Sequence, residues 1–103
     1  MNSEIYFAVK TPLNYEVRIT VQYWQYLITI KHPIMKGKEE IIKDVLQLPD
    51  EIRQSKIDKN VFLYYKQFDK LYCVVVKHTE MEGFIITAYI TNKVKEGDVV
   101  WTR

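Results

Sequence analysis

Histidine, guanidinium, ammonium and hydroxyl groups recur in this chain at places where a strand and helix pattern would bring them together. His32-Pro33 follows an aromatic amphipathic run, Arg53-Gln54-Ser55 opens a strand-rich stretch, Lys77 ends one apolar strand, and Thr87-Ala88-Tyr89 puts two hydroxyls on one side of another. Together these groups would equip cleavage of RNA without a metal, in which the 2′-hydroxyl attacks the adjacent phosphorus and the 5′-oxygen leaves. A base must take the hydroxyl proton, an acid must protonate the leaving oxygen, and donors must hold the charge that builds on phosphorus. Histidine is the side chain whose ordinary titration lies near neutral pH, and in this set that residue is His32. Arg53 would clamp phosphate bidentately, while Lys77, Ser55, Thr87 and the Tyr89 hydroxyl would hold the non-bridging oxygens. Each residue also has a plainer reading as a helix cap, a solvated charge or an ordinary strand residue, and it is their convergence that favours chemistry. No metal-ligand spacing, phosphate loop or coenzyme motif competes, so no metal or cofactor is expected.

The elements that must position these groups follow from periodicity. In Tyr15-Glu-Val-Arg-Ile19 the apolar residues alternate with charges, as in a half-buried strand, and residues 4–9 form a second short strand. Thr20 is the expected N-cap of a helix over about 21–31, with Trp24, Leu27 and Ile28 at helical spacing and Pro33 ending it. That sets the His32 imidazole at a helix C-terminus. A second helix is expected over about 37–48, with Ile41, Ile42, Val45, Leu46 and Leu48 as its apolar stripe, Glu39 and Glu40 near its start and Pro49-Asp50 ending it. Residues 60–67, 71–77 and 83–91 are rich in Val, Ile, Phe and Tyr and read as consecutive antiparallel strands, with 51–55 as a further strand ahead of them. The expected architecture is α+β: two N-terminal helices packed on one face of an antiparallel sheet of about four strands.

Alternation sorts the strand side chains. Phe84, Ile86, Ala88 and Ile90 are expected to face the helices, with Ile85, Thr87, Tyr89 and Thr91 opposite. Arg53 shares a face with Ser55, and Lys77 with Cys73 and Val75. Tyr65 goes with Leu63, and Tyr64 with Phe62 and Lys66; alternation does not decide which tyrosine faces the site, and Tyr65 is taken as the substrate-binding candidate beside Ser55 and Tyr89. His78, just past Lys77, reads as a solvated histidine in a turn.

Composition bounds the rest. The 103 residues make one domain, 48% hydrophobic and 14% aromatic, with eight tyrosines. The net charge of +2 permits a nucleic-acid partner without demanding one. The single cysteine, Cys73, sits in an apolar run, reads as a small buried hydrophobe and suits a reducing cytoplasm. The start, MNSEIYFAVK, has no basic segment followed by an apolar stretch, and the longest apolar runs are far below a membrane span, so neither a secretory signal nor a membrane partner is expected.

The order VRIT, YWQYLITIKHP, LQLPDEIRQS, NVFLYYK, LYCVVVK, GFIITAYIT and KEGDVVW, from roughly Tyr15 to Trp101, resembles the Barnase–EndoU–colicin–RelE superfamily of small nucleases, in particular a group found in phage and mobile-element proteins. The resemblance implies the two-helix, four-strand fold, metal-independent RNA cleavage (of tRNA or mRNA) on the open face of the sheet, and service as a toxin held by an antitoxin or immunity protein. It maps the family's helix-end histidine to His32, its basic and hydroxyl positions to Arg53, Ser55, Lys77 and Thr87, and its aromatic to Tyr89. The second histidine of EndoU-type sites has no equivalent here. Two other functions compete: a non-catalytic module that binds RNA or protein on the same face, and an assembly protein that pairs strands through the 4–9 edge.

Overall fold

A computed structural model describes residues 4–94 and 97–103; Met1–Ser3 and, from the closing KEGDVVW run, Lys95 and Glu96 lie outside the described residues. The chain runs β1 (Ile5–Lys10), β2 (Glu16–Thr20), α1 (Val21–Tyr26) continued by a π-helical turn (Leu27–Lys31), a 3-10 turn (Pro33–Met35), α2 (Glu39–Gln47), β3 (Glu51–Gln54), β4 (Val61–Gln67), β5 (Leu71–Thr79), β6 (Glu82–Thr91) and β7 (Asp98–Thr102). All seven strands join one sheet in the order β1-β2-β6-β5-β4-β3-β7.

This corrects the expected sheet of about four antiparallel strands carrying two helices. The β3–β6 portion is antiparallel, but β2 joins it in parallel, with Glu16 opposite Glu82, Val17 opposite Gly83 and Arg18 opposite Phe84. The β1–β2 hairpin is therefore an extension of the sheet. Gly83 permits the junction, since a Cβ there would lie 3.0 Å from methyls of both Val17 and Val76. At the other edge, β7 pairs antiparallel with β3. Its sequence, Asp98-Val-Val-Trp-Thr102, has no clear alternation, so periodicity alone gives no strand there.

The helices form where their caps require. The Thr20 hydroxyl accepts from the Tyr23 amide at 3.0 Å. The His32 amide reaches back to the Leu27 carbonyl at 2.8 Å, the wide bond of a π-turn, and Pro33 starts the next turn. Helix α2 buries Ile42, Val45 and Leu46. They join Trp24, Leu27, Met35, Ile52, Tyr64, Val74, Val76 and Ala88 in the main core on one side of the sheet. Complete burial of side chains of this size contributes about 1.5–3 kcal/mol each.

His78 belongs to this core and is not a solvated turn residue. It is 3% exposed, with its ring stacked between Tyr15 at 3.8 Å and Phe62 at 4.1 Å. Its Nε2 lies 3.1 Å from the Tyr64 hydroxyl, which donates to Thr11 Oγ1. That leaves Nε2 as the protonated nitrogen and Nδ1 as a buried acceptor with no partner. Burial lowers the pKa of His78 from 6.5 to about 4. The unfolded chain takes up a proton near pH 6.5 and the folded one resists until about 4, so the stabilisation is complete above the first value and is lost as pH falls toward the second. The full loss amounts to about 3 kcal/mol. Thermal melts followed by circular dichroism from pH 7 to pH 4 should therefore fall more steeply for the native protein than for His78→Phe, which keeps the stack without the imidazole. Parallel slopes would refute this origin of acid sensitivity.

Candidate functional site

Cross-strand partners point to the same side of a sheet. Arg53, Leu63, Val75 and Thr87 form one row across β3–β6, Glu51, Tyr65, Cys73 and Tyr89 form the next, and Val61, Lys77 and Phe84 form a third. These rows lie on the side away from the main core. Arg53, Tyr65, Lys77, Thr87 and Tyr89 thus share one face. His32 approaches it from the end of the π-turn, its ring 5.7 Å from that of Tyr89.

A β-bulge sets this arrangement. Val75 pairs with Thr87 but Val76 pairs with Ile85, so Ile86 is skipped. The bulge exchanges the faces expected at the start of β6: Ile85 is buried in the main core, while Phe84 is 43% exposed on the opposite side. The Ile86 carbonyl accepts from the Tyr23 hydroxyl at 2.7 Å and from Lys31 Nζ at 3.2 Å. Helix α1 and its π-turn are thereby fastened to β6 at the bulge, which holds His32 beside Tyr89.

Ser55, Thr87 and Tyr89 line a single cleft of about 430 Å³, walled by Val61, Leu63 and Val75 and rimmed by Lys56 and Ile57. Thr87 Oγ1 is buried there without a hydrogen-bond partner. Burial pushes the Tyr89 hydroxyl well above the ordinary phenol range, with the neighbouring Cys73 thiol adding to the effect, so it stays protonated. Ser55 Oγ accepts from the amides of Ile57 (3.1 Å) and Asp58 (3.3 Å) and so shapes the loop that carries Lys56. Sequence reading passed over Lys56 because it lies in a polar stretch with no periodicity; its only signal was adjacency to Ser55.

The remaining candidates stand apart from this cleft. Three strand spacings, about 14 Å, separate Arg53 from Thr87. The Arg53 guanidinium is held by the Glu51 carboxylate and donates to the Gly97 carbonyl at 3.1 Å. Lys77 Nζ lies 3.5 Å from Asp58 and lines a neighbouring groove. Tyr65 is only 1% exposed, packed with Leu63 and Cys73 in a second apolar cluster against which Val94 lies. That burial removes Tyr65 from direct contact with a bound molecule and covers part of the face expected to be open. The expected constellation therefore divides into Ser55, Thr87 and Tyr89, which line the cleft, His32, which meets the Tyr89 ring without lining the cleft, and Arg53, Lys77 and Tyr65, which flank them. Among the described residues, no three histidine, cysteine or acidic side chains are grouped to hold a metal, and no helix is long and apolar enough to cross a membrane.

An unpartnered buried hydroxyl contributes nothing to stability, and an apolar isostere there is neutral or favourable. Thr87→Val should leave the melting temperature unchanged or slightly raised; a fall of more than a few degrees would mean that the hydroxyl has a structural partner. Comparison with protein-family models, with curated proteins and with solved structures finds no match to this chain.

Proposed function

We propose that this protein is a metal-independent endoribonuclease, acting on a cellular RNA such as tRNA or mRNA from the cytoplasm and kept in check by a neutralising partner protein. The observation that carries the reading is the proximity of the His32 imidazole to Tyr89, a residue that lines the cleft together with Thr87, whose hydroxyl is buried without a partner. The spread of cations across the same face, from Arg53 through Lys56 to Lys77, suits an extended polyanion better than a small ligand.

In this reading His32 takes the proton of a ribose 2′-hydroxyl. The 2′-oxygen bonds to phosphorus, the P–O5′ bond breaks, and the departing oxygen takes a proton from water, leaving a 2′,3′-cyclic phosphate. Thr87 donates to a non-bridging oxygen: its hydroxyl gives up no competing partner, and the wall of the cleft shifts to uncover it. Lys56 and Lys77 supply positive charge along the bound strand, and Arg53 anchors that strand at the far side of the face.

One feature favours a second reading, a non-catalytic RNA-binding module: Arg53 and Lys77 are each already paired with a carboxylate, Glu51 and Asp58. Incubation of the purified protein with total RNA and with tRNA separates the two. The nuclease reading expects cleavage that survives EDTA, cyclic-phosphate ends, and a loss of about tenfold or more in rate for His32→Ala. RNA retained intact by folded native protein would establish the binding module instead, and cleavage at the native rate by folded His32→Ala would remove the histidine from the reaction.

A further inference from the structure

A second groove, of about 580 Å³, opens between β2, α1 and the start of β6, with Lys77 and Phe84 of the same face in its lining. Its size is that of a small-molecule site. We propose that it is a base-binding subsite for one unpaired nucleotide of the RNA strand, an inference that rests on RNA being the ligand of the neighbouring cleft.

The groove exists because of the bulge at Ile86. By turning Phe84 out of the core, the bulge places an aromatic ring, 43% exposed, where an apolar strand residue would otherwise be buried. Such a ring offers a stacking platform to any base. Ile19 and Tyr23 also line the groove. Arg18 lies over Phe84, its guanidinium carbon 5.8 Å from the ring centroid. One guanidinium nitrogen of Arg18 pairs with Glu82 at 2.6 Å, but its Nε is buried with no acceptor. A guanidinium beside an exposed ring suits a nucleotide, whose base stacks while its phosphate lies near the positive charge.

Continuity with the cleft settles the choice of occupant. Phe84 is opposite Lys77, and Thr87 is opposite Val75. Along β5 these positions are two residues apart, roughly 7 Å, so a chain lying across Thr87 reaches Phe84 within about one nucleotide. Lys77 lines the groove opposite Phe84, in the row next to that of Val75 and Thr87, within reach of the linking phosphate. A duplex cannot splay a base into the groove, so the subsite selects single-stranded or looped RNA.

The test uses the intact protein and a fluorescently labelled single-stranded 2′-O-methyl hexanucleotide, which binds but lacks the attacking hydroxyl. Anisotropy should show Phe84→Ala binding about tenfold or more weakly than the native protein, with Phe84→Tyr restoring most of the affinity because it keeps the ring face. Melting temperatures verify that both variants are folded. An oligonucleotide with one abasic position should narrow the gap between Phe84→Ala and the native protein. Equal affinities for folded Phe84→Ala and the native protein would overturn the subsite, while EDTA-resistant cleavage dependent on His32 would leave the nuclease reading intact. Phe84-dependent binding by a protein that cuts no RNA would keep the subsite and end the nuclease reading. Failure of the native protein to bind the hexamer, or binding only of a peptide or duplex competitor, would overturn the subsite.

Discussion

The backbone carbonyl of one skipped residue, Ile86, ties the first helix to the strand that carries Thr87 and Tyr89. A bulge leaves that carbonyl outside the β5–β6 ladder, and an unpaired buried carbonyl is costly. Tyr23 and Lys31 satisfy it from the helix that ends at His32. The same irregularity that breaks the ladder therefore recruits the helix, and the helix brings the imidazole. It also sorts β6 into two halves. Past the bulge, Thr87 and Tyr89 face the cleft. Before it, Phe84 is turned toward a second groove while Ile85 enters the core.

Polar groups inside the molecule fall into two kinds. In the main core most are tied together, His78 Nδ1 excepted: Thr11 Oγ1 accepts from both the Tyr64 hydroxyl and the Leu13 amide, and His78 Nε2 bonds to that same tyrosine. Such closed networks rigidify a core. On the opposite face, Thr87 Oγ1 and Arg18 Nε are buried without partners, and each lies beside a cleft. Buried polar groups are ordinarily satisfied. Both lie beside clefts, away from the packed centre.

Much of the local structure was legible. The Thr20 cap, the stop at Pro33, the Ile42, Val45 and Leu46 part of the α2 stripe and the alternation that placed Lys77 with Cys73 and Val75 are short-range patterns, and the chain obeys them; Leu48, expected in that stripe, is exposed past the end of the helix. Partnership between distant segments was not legible. Nothing in Glu16–Thr20 announces a parallel pairing with residues 82–84, and nothing in Asp98–Thr102 announces a place beside β3. His78 was misread because its neighbours, Tyr15 and Phe62, are remote in sequence and a lone histidine near a turn carries no mark of burial. The candidate site shows the same division. Face assignments from Arg53, Lys77, Thr87 and Tyr89 follow from period two, whereas the distance from Arg53 to Thr87, the packing of Val94 against the Tyr65 cluster and the turning of Phe84 depend on strand order, on residues remote in sequence and on a bulge.

The parallel ladder between β2 and β6 also bears on how the molecule acquires its shape during synthesis. The N-terminal hairpin has no sheet to join until the segment around Gly83 has left the ribosome, and α1 has no carbonyl to grip until Ile86 follows. Pairings this remote in sequence close slowly, because the loop entropy is spent before the contacts form. A nascent chain thus carries its imidazole without bringing it to the alcohols of β6 until that strand has emerged, and the face assembles only then.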